Sequence, residues 1–193
     1  MLPRPYLKKI RQDLHEYALI RRDIIKVSDD ALHHAKRAIF ALHRGNQVEA
    51  KEKLTDVETL LKGLLQKYKK EDRIHGEGAY RAAIEEYVEA TLFNQFVTAG
   101  KLSEIKTLPI DDESYLSGLC DVPGELYRYA IAAATRHDMK LVQACNELAA
   151  EIIGELIEFN LTSYLRNKFD QAKQAAHKLE QVVYELSLRE NSK

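Results

Sequence analysis

The chain has 193 residues, of which 45% are hydrophobic and 31% are charged, and its formal net charge is −1. This composition is globular, which excludes a disordered chain and argues against a nucleic-acid binder that works by bulk positive charge. The length suits one domain with a full core, and we expect a single domain over residues 1–193. With only 8 glycines and 4 prolines, the chain favours long helices over many short strands.

The first predicted helix begins near Pro3 or Pro5 and ends at residues 44–46, where glycine and asparagine supply a stop signal. About forty residues of helix make a rod of about 60 Å. A domain of this size cannot cover such a rod alone, so we expect it to pack against other subunits as well. Its apolar and small positions, spaced by threes and fours apart from breaks at Arg21 and Ser28, are Ile10, Leu14, Tyr17, Ile24, Ala31, Ala35, Ala38 and Leu42.

Further helices are predicted along the rest of the chain, and no run of alternating β-branched residues predicts a strand. The fold class is therefore all-α, with six to seven helices. Four glutamates on the fifth helix, Glu147, Glu151, Glu155 and Glu158, are expected to face solvent. The predicted ranges are 47–70, 80–98, 111–136 with an interruption or fresh start at Pro123-Gly124, 139–159 and 163–188, with a flexible break at 75–78.

The two cysteines, Cys120 and Cys145, have no metal-ligand spacing. We therefore expect buried thiols in a reducing compartment rather than a disulfide framework or a zinc site. The amino terminus has no apolar signal segment, and no apolar run approaches the length needed to span a membrane. These patterns predict a cytoplasmic protein without a membrane partner.

Charge is distributed unevenly along the chain. Residues 1–44 contain ten Lys and Arg against five acids, whereas residues 85–125 contain nine acids against only Lys101 and Lys106. This asymmetry is found in nucleic-acid binders, although two solvated helix faces are the simpler explanation.

Two acidic pairs have spacings that place both carboxylates on one helix face. Glu86 and Glu89 are three residues apart, and Asp121 and Glu125 are four apart. Glu89 and Asp121 adjoin apolar segments, where a carboxylate is normally paired with a base or bound to a cation. The spacing alone is common on solvated helix faces, so a plain acidic surface is the competing interpretation.

If the two pairs converge, carboxylates about 5 Å apart repel by about 3 kcal/mol per pair at an effective dielectric constant near 20. Proton uptake or a divalent cation would relieve that repulsion. Oxygen ligands without histidine favour Mg²⁺ or Mn²⁺ over zinc. Such a site can activate water for attack on a phosphate.

Several distinctive sequence blocks occur in order along the chain. They are RDIIKVS at 22–28 with KRAIFALHR at 36–44, EYVEA at 86–90 with Phe93 and Phe96, YLSGL at 115–119 with Asp121, GEL at 124–126 and Arg128, and KLEQVVYELSLR at 178–189. Together these blocks resemble the translin/TRAX family, and in particular a TRAX-like, minimal member of prokaryotic or archaeal type. The expected minimal form agrees with the lack of the long polar amino-terminal extension of animal members.

The resemblance implies a translin-like bundle of seven helices that assembles into a hollow homo-octamer around nucleic acid. It implies binding of single-stranded RNA, with single-stranded DNA as a further ligand, and Mg²⁺-dependent endoribonuclease activity. Glu86, Glu89 and Asp121 align with the family's catalytic acids. Glu125 takes the place of a fourth metal ligand.

Other predictions depend on charge and on departures from the family pattern. Lys36, Arg37, Arg73 and His75 are expected to position phosphates. The family's basic block is only partly present around Arg73 and His75, and Pro123 lies within the second acidic motif. Two alternatives remain open: a catalytically inactive, translin-type binding oligomer, and an all-α nucleotide pyrophosphohydrolase, which holds Mg²⁺ with similar acidic pairs.

Overall fold

A computed structural model describes residues 2–190. All regular structure in that range is helical, as predicted. A short 3₁₀ helix, Asp72–Gly76, precedes the third α-helix at the position where the sequence predicts a break. The α-helices are α1 (Arg4–His43), α2 (Gln47–Lys67), α3 (Gly78–Ala99), α4 (Asp112–Thr135), α5 (Met139–Ile157) and α6 (Ser163–Glu190).

The helix ends follow local chemistry. The side chain of Asn46 accepts a hydrogen bond from the Glu49 backbone N–H at 3.1 Å, which caps α2. Asp111 accepts one from the Ser114 backbone N–H at 2.9 Å and caps α4. Gly100 ends α3 with φ of +70°, a left-handed conformation that glycine adopts without steric cost.

The centre of the bundle is the contact between α3 and α4. On one side, α1 and α2 pack together and α1 also packs on α3, whereas α5 and α6 pack on α4. Because α3 is surrounded, side chains are buried on nearly all of its faces, and these include the carboxyl groups of Glu85 and Glu89. Burial of two acids in the middle of a bundle is unusual and marks this contact for attention.

Gly118 allows α3 and α4 to approach closely. A β-carbon at this position would lie 2.6 Å from the backbone oxygen of Glu85 and 2.6 Å from the β-carbon of Val88. No side chain fits at that distance, so the α3–α4 spacing depends on this glycine. Asp121 follows within one turn and is thereby held beside α3.

The predicted break of the fourth helix at Pro123-Gly124 is wrong, because α4 continues through Pro123. A proline inside a helix lacks the N–H that would bond the carbonyl four residues earlier. Burial of Val122, Pro123 and Leu126 against neighbouring helices holds the helix together despite that loss. Asp121 and Glu125 therefore share one face of a continuous helix.

Helix α1 is covered by its own chain over only part of its length. Its carboxyl-terminal half packs through fully buried small residues, Ala31, Ala35 and Ala38, which let α2 and α3 approach closely. Ile10 and Leu14, which belong to the same predicted stripe, are 37% and 59% exposed. The stripe predicted from the sequence thus continues beyond the body of the domain.

Both cysteines are buried and unpaired, as predicted. Burial raises the pKa of Cys120 to about 11 and that of Cys145 to about 12, which keeps both thiols protonated at neutral pH. Within residues 2–190, no helix is both long and apolar enough to cross a membrane.

Candidate carboxylate site

The acids singled out in the sequence gather where α3 faces α4. Glu86, Glu89 and Glu125 line one open cavity of about 260 Å³. Asp121 lies one turn before Glu125, and its charge acts on both Glu86 and Glu89. The two acidic pairs therefore converge, which their spacing in the sequence left open, although convergence alone does not assign them a role.

Glu89 has the most perturbed carboxyl group in this cluster. Its residue is 8% exposed, and burial together with the charges of Asp121, Glu86 and Glu125 raises its pKa to about 9. No base among the described residues forms an ion pair or a hydrogen bond with it. The carboxyl group consequently holds a proton at neutral pH in the absence of a cation.

Asp121 is neutralised from the other side by Lys168 of α6. The Lys168 ammonium donates a hydrogen bond to Asp121 and lies 3.9 Å from Glu85, which also accepts a 2.7 Å hydrogen bond from the Tyr164 hydroxyl. Burial raises the pKa of Asp121, and Lys168 offsets this only in part. Burial opposes the charge on Lys168 as well, but its contacts with acids leave the pKa of the lysine above its usual value.

Glu125 and Glu86 are also matched with bases. Glu125 pairs with the imidazole of His43 and accepts hydrogen bonds from the Arg128 guanidinium at 2.9 and 3.1 Å. These partners outweigh the effect of burial and hold the pKa of Glu125 below its usual value. Glu86 lies 3.9 Å from the Lys36 ammonium, yet burial still raises its pKa.

This arrangement can be compared with the needs of a divalent cation. Over residues 2–190, no group of three or more His, Cys, Asp or Glu side chains is arranged to hold a metal ion. Asp121 is paired with Lys168, and Glu125 is paired with His43 and Arg128. The donor set nevertheless consists of carboxylates, which suit Mg²⁺ or Mn²⁺. The repulsion evident in the pKa of Glu89 is also of the kind that a cation relieves. The residues fit such an ion chemically, provided that Lys168 separates from Asp121 and His43 separates from Glu125.

The four basic residues chosen from the sequence lie in different places. Lys36 lines the carboxylate cavity. Arg37 is exposed and interacts electrostatically with Asp56 of α2. Arg73 is occupied by two acids of its own surroundings, and His75 packs edge-on against an aromatic ring 5.6 Å away. Their predicted phosphate contacts stay predictions, with Lys36 best placed.

Sequence reasoning missed several residues of the site. Lys168 lies 47 residues from Asp121, and no local pattern indicates their pairing. His43 and Arg128 belong to recognised sequence blocks, but nothing in those blocks assigns them to Glu125. Phe40 also lines the cavity and is 56% exposed, and the Arg44 guanidinium lies over its ring, 4.7 Å from the ring centre. Exposed aromatic rings of this kind can stack on unpaired bases.

The raised pKa of Glu89 makes a stability prediction. The folded protein binds this proton more tightly than the unfolded chain does. The stability that the proton contributes to the free energy of unfolding is therefore full below pH 4.5 and is lost progressively as the pH rises towards 9. Glu89→Gln keeps the shape and removes the titration. We expect the variant to match wild type near pH 5 and to exceed it at pH 8 by a free energy of unfolding on the order of 3 kcal/mol. Urea unfolding in EDTA at both values checks this, and an advantage that is equal at both would contradict it.

The structure is an all-helical bundle of six long helices. Its two central helices, α3 and α4, place carboxyl groups together in the interior, and this combination describes the class of protein. The family model described as "Translin family" matches residues 19–190. The chain belongs to the translin family.

Individual relatives agree with the assignment. The chain is 26% identical over 208 residues to "Translin-associated protein X" of Rattus norvegicus, with 86% of this chain and 72% of the relative covered. It is similar to "Structure of AfC3PO - duplex RNA complex", with a TM-score of 0.87, 25% identity and coverage of 97% and 100% of the two chains. "Crystal structure of AfC3PO" matches with a TM-score of 0.86, 26% identity and coverage of 95% and 98%.

Proposed function

We propose that this protein is a metal-dependent endoribonuclease that binds RNA and cleaves it at the carboxylate cavity. Glu86, Glu89, Asp121 and Glu125 would hold Mg²⁺ or Mn²⁺, with Glu86, Glu89 and Asp121 as the catalytic acids. The substrate class is RNA, with single-stranded RNA expected to be cleaved and single-stranded DNA as a further ligand. We further propose a cytoplasmic homo-oligomer, an octamer by family resemblance.

The observation that carries this proposal is the state of Glu89. A carboxyl group that is nearly buried, that forms no ion pair or hydrogen bond with a described base and that is surrounded by three further acids weakens the fold at neutral pH. Proteins keep such costly groups mainly at functional sites. A cation in the cavity would account for all four acids at once.

The relatives support RNA as the ligand. One similar structure is described as a complex with duplex RNA. Because that complex contains a duplex, duplex RNA is a candidate substrate of this protein beside single-stranded RNA.

The residues of the chain have distinct parts in this scheme. A bound Mg²⁺ supplies Lewis-acid chemistry, making water a better nucleophile at neutral pH and offsetting charge on the phosphate. Glu89, which burial and the neighbouring acids keep protonated at neutral pH, would have to lose that proton to serve as a ligand of the cation. Asp121 would be a further ligand once Lys168, which now donates a hydrogen bond to it, no longer pairs with it.

Positive charge at the edge of the cavity would orient the RNA backbone. Lys36 is well exposed there, and Arg128 lies beside Glu125 with its guanidinium more than half exposed. Guanidinium and ammonium groups bind phosphates without reading the base. Phe40 provides an exposed ring on which an unpaired base could stack.

A catalytically inactive RNA-binding oligomer is the second candidate, and one observation favours it. Lys168, His43 and Arg128 already neutralise Asp121 and Glu125, as in a structural ion-pair network. In that case the acids would maintain the fold, and binding would depend on basic residues elsewhere.

The discriminating experiment incubates purified protein with end-labelled single-stranded RNA, duplex RNA and single-stranded DNA, each with Mg²⁺, Mn²⁺ or EDTA. We expect cleavage of RNA with either metal and none in EDTA, with binding retained in EDTA. Binding of intact RNA under every condition would establish the inactive binder. Turnover of free nucleoside triphosphates without RNA cleavage would replace both proposals with the pyrophosphohydrolase.

A further inference from the structure

Phe40 of α1 is an exposed aromatic residue in the wall of the carboxylate cavity. It is 56% exposed, and it lines the cavity together with Glu89 and Glu125. Between residues 20 and 47 it is the one large apolar residue that is exposed, and its neighbour Ile39 is buried in the core. A single exposed ring is common on protein surfaces and is too small for a protein interface. Phe40 differs from such residues because it borders the cavity in which cleavage is proposed.

The ring of Phe40 is held in place from one side. The Arg44 guanidinium lies over the ring, 4.7 Å from its centre. Arg44 is itself fixed, because it donates a 2.9 Å hydrogen bond to the carboxylate of Glu49, which also accepts a 2.9 Å hydrogen bond from the side chain of Asn46. No aromatic ring in residues 2–190 contacts Phe40. The exposed surface of Phe40 therefore belongs to the other face and the edges of a ring whose orientation is already set.

Positive charge surrounds the ring. Lys36 and Arg44 lie one turn before and one turn after Phe40 on the same face of α1, each about 6 Å away along the helix axis. Arg128 of α4 lines the same cavity. All three of these cationic side chains are more than half exposed. Cations on either side of an aromatic ring are how proteins hold a single strand, because the cations bind its phosphates while the ring stacks on a base.

We propose that an unpaired base of the bound RNA stacks on the free face of Phe40, which brings the adjoining phosphate to the carboxylate cavity. This inference rests on the proposed function and adds to it a specificity-determining residue. In a double helix both faces of each base are covered by neighbouring base pairs, so a fully paired duplex cannot use the ring. Such a duplex binds through the cations alone, and cleavage within it requires a bulge or an open end where one base is unstacked.

The competing explanation is that Phe40 and Arg44 only secure the carboxyl end of α1. An exposed contact between a cation and a ring is weak, and the helix end is already closed by backbone hydrogen bonds from the N–H of Arg44. Leucine at position 40 would keep the apolar bulk and a high helix propensity while removing the aromatic face. The structural role and the base-stacking role therefore predict different results for this one substitution.

Photocrosslinking tests the contact without requiring cleavage. A strand made of 5-iodouridine is bound to the protein in EDTA, either alone or fully paired with an oligoadenosine strand, and the complex is irradiated. Iodouracil couples on irradiation to an aromatic ring that is stacked against it, and mass spectrometry of the digested protein identifies the coupled residue. Because every nucleotide of the strand carries the probe, the result does not depend on the register in which the RNA binds.

Three variants are compared with wild type. Phe40→Leu removes the ring, and Phe40→Tyr keeps it. Phe159→Leu makes the same change as the first variant at another exposed phenylalanine, just after the end of α5. Filter binding in EDTA gives the dissociation constants for single-stranded and for duplex RNA of the same sequence. Circular dichroism melting confirms that all variants fold, and the crosslink in wild type does not depend on them.

We expect the single strand to crosslink to Phe40 and the duplex to leave this residue unmodified. Phe40→Leu should weaken binding of the single strand by about tenfold, because one stacked base is lost. Binding of the duplex should stay within about twofold, because phosphate contacts do not involve the ring. Phe40→Tyr and Phe159→Leu should behave as wild type.

The absence of a crosslink at Phe40, or an equal loss of affinity for both RNAs in Phe40→Leu, overturns the inference. Its failure is distinguishable from failure of the proposed function. Cleavage of RNA by a protein that gives no crosslink at Phe40 overturns the stacking contact and leaves the endoribonuclease standing. A crosslink at Phe40 in a protein that cleaves no RNA with Mg²⁺ or Mn²⁺ supports the contact and overturns the proposed catalysis.

Discussion

Replacing Glu89 with glutamine is expected to lower RNA cleavage by about 10³-fold or more, because it removes a ligand and a proton-exchanging group from the proposed centre. Glutamine has the same shape and cannot ionise, so the cavity and the packing of α3 should be preserved. Binding of RNA in EDTA should therefore stay within about twofold of wild type. Single-turnover cleavage and filter binding with the same labelled RNA measure the two quantities separately.

The matched control is Glu52→Gln, which makes the same chemical change at an exposed position of α2. It should leave cleavage unchanged. The combination expected for Glu89→Gln, lost cleavage together with greater stability at pH 8, is characteristic of a site that sacrifices stability for function. Full cleavage by Glu89→Gln would remove this residue from the catalytic centre.

Gly118→Ala is expected to destabilise the protein by about 2 to 3 kcal/mol, because the new methyl group overlaps the backbone of Glu85 and the side chain of Val88. For a domain of this size that is a fall in melting temperature of about 4 to 10 °C. The helices would separate slightly, and Asp121 would move away from Glu89. Cleavage should therefore also fall at temperatures where the variant remains folded.

Gly124→Ala is the control for the change of residue type. It lies in the same helix, and a β-carbon there meets nothing within 4 Å. Alanine is favoured over glycine inside a helix, so stability should rise by about 0.5 to 1 kcal/mol. Calorimetric melting of both variants checks the contrast. Equal stability changes at positions 118 and 124 would show that close helix packing is not what Gly118 provides.

The fold was largely predictable because residues next to the helix ends determine where most of the helices begin and end. Gly45, Gly100 and the capping residues Asn46 and Asp111 are short-range signals, and each lies at a real helix end. The exception is Pro123, where a local helix-breaking rule was overridden by burial from helices distant in sequence. A pattern confined to a few residues cannot report that tertiary contribution.

The acids of the candidate site could be selected from the sequence, whereas the bases that pair with them could not. The spacing of Glu86 and Glu89 on one helix could be seen in the sequence, as could that of Asp121 and Glu125. The partners of these acids come from distant helices, with His43 82 residues from Glu125. Such pairings depend on how α1 and α6 lie against α3 and α4, which local spacing does not specify. The exposure of residues 4–16 of α1 was anticipated only from the excess length of the predicted first helix.

The most direct measurement is anomalous diffraction from crystals grown with Mn²⁺, recorded above and below the manganese absorption edge. We expect a peak in the carboxylate cavity, surrounded by Glu86, Glu89, Asp121 and Glu125, with Lys168 withdrawn from Asp121. A cavity without a peak, in protein that cleaves RNA under the same conditions, would contradict the assignment of these four acids as the metal site.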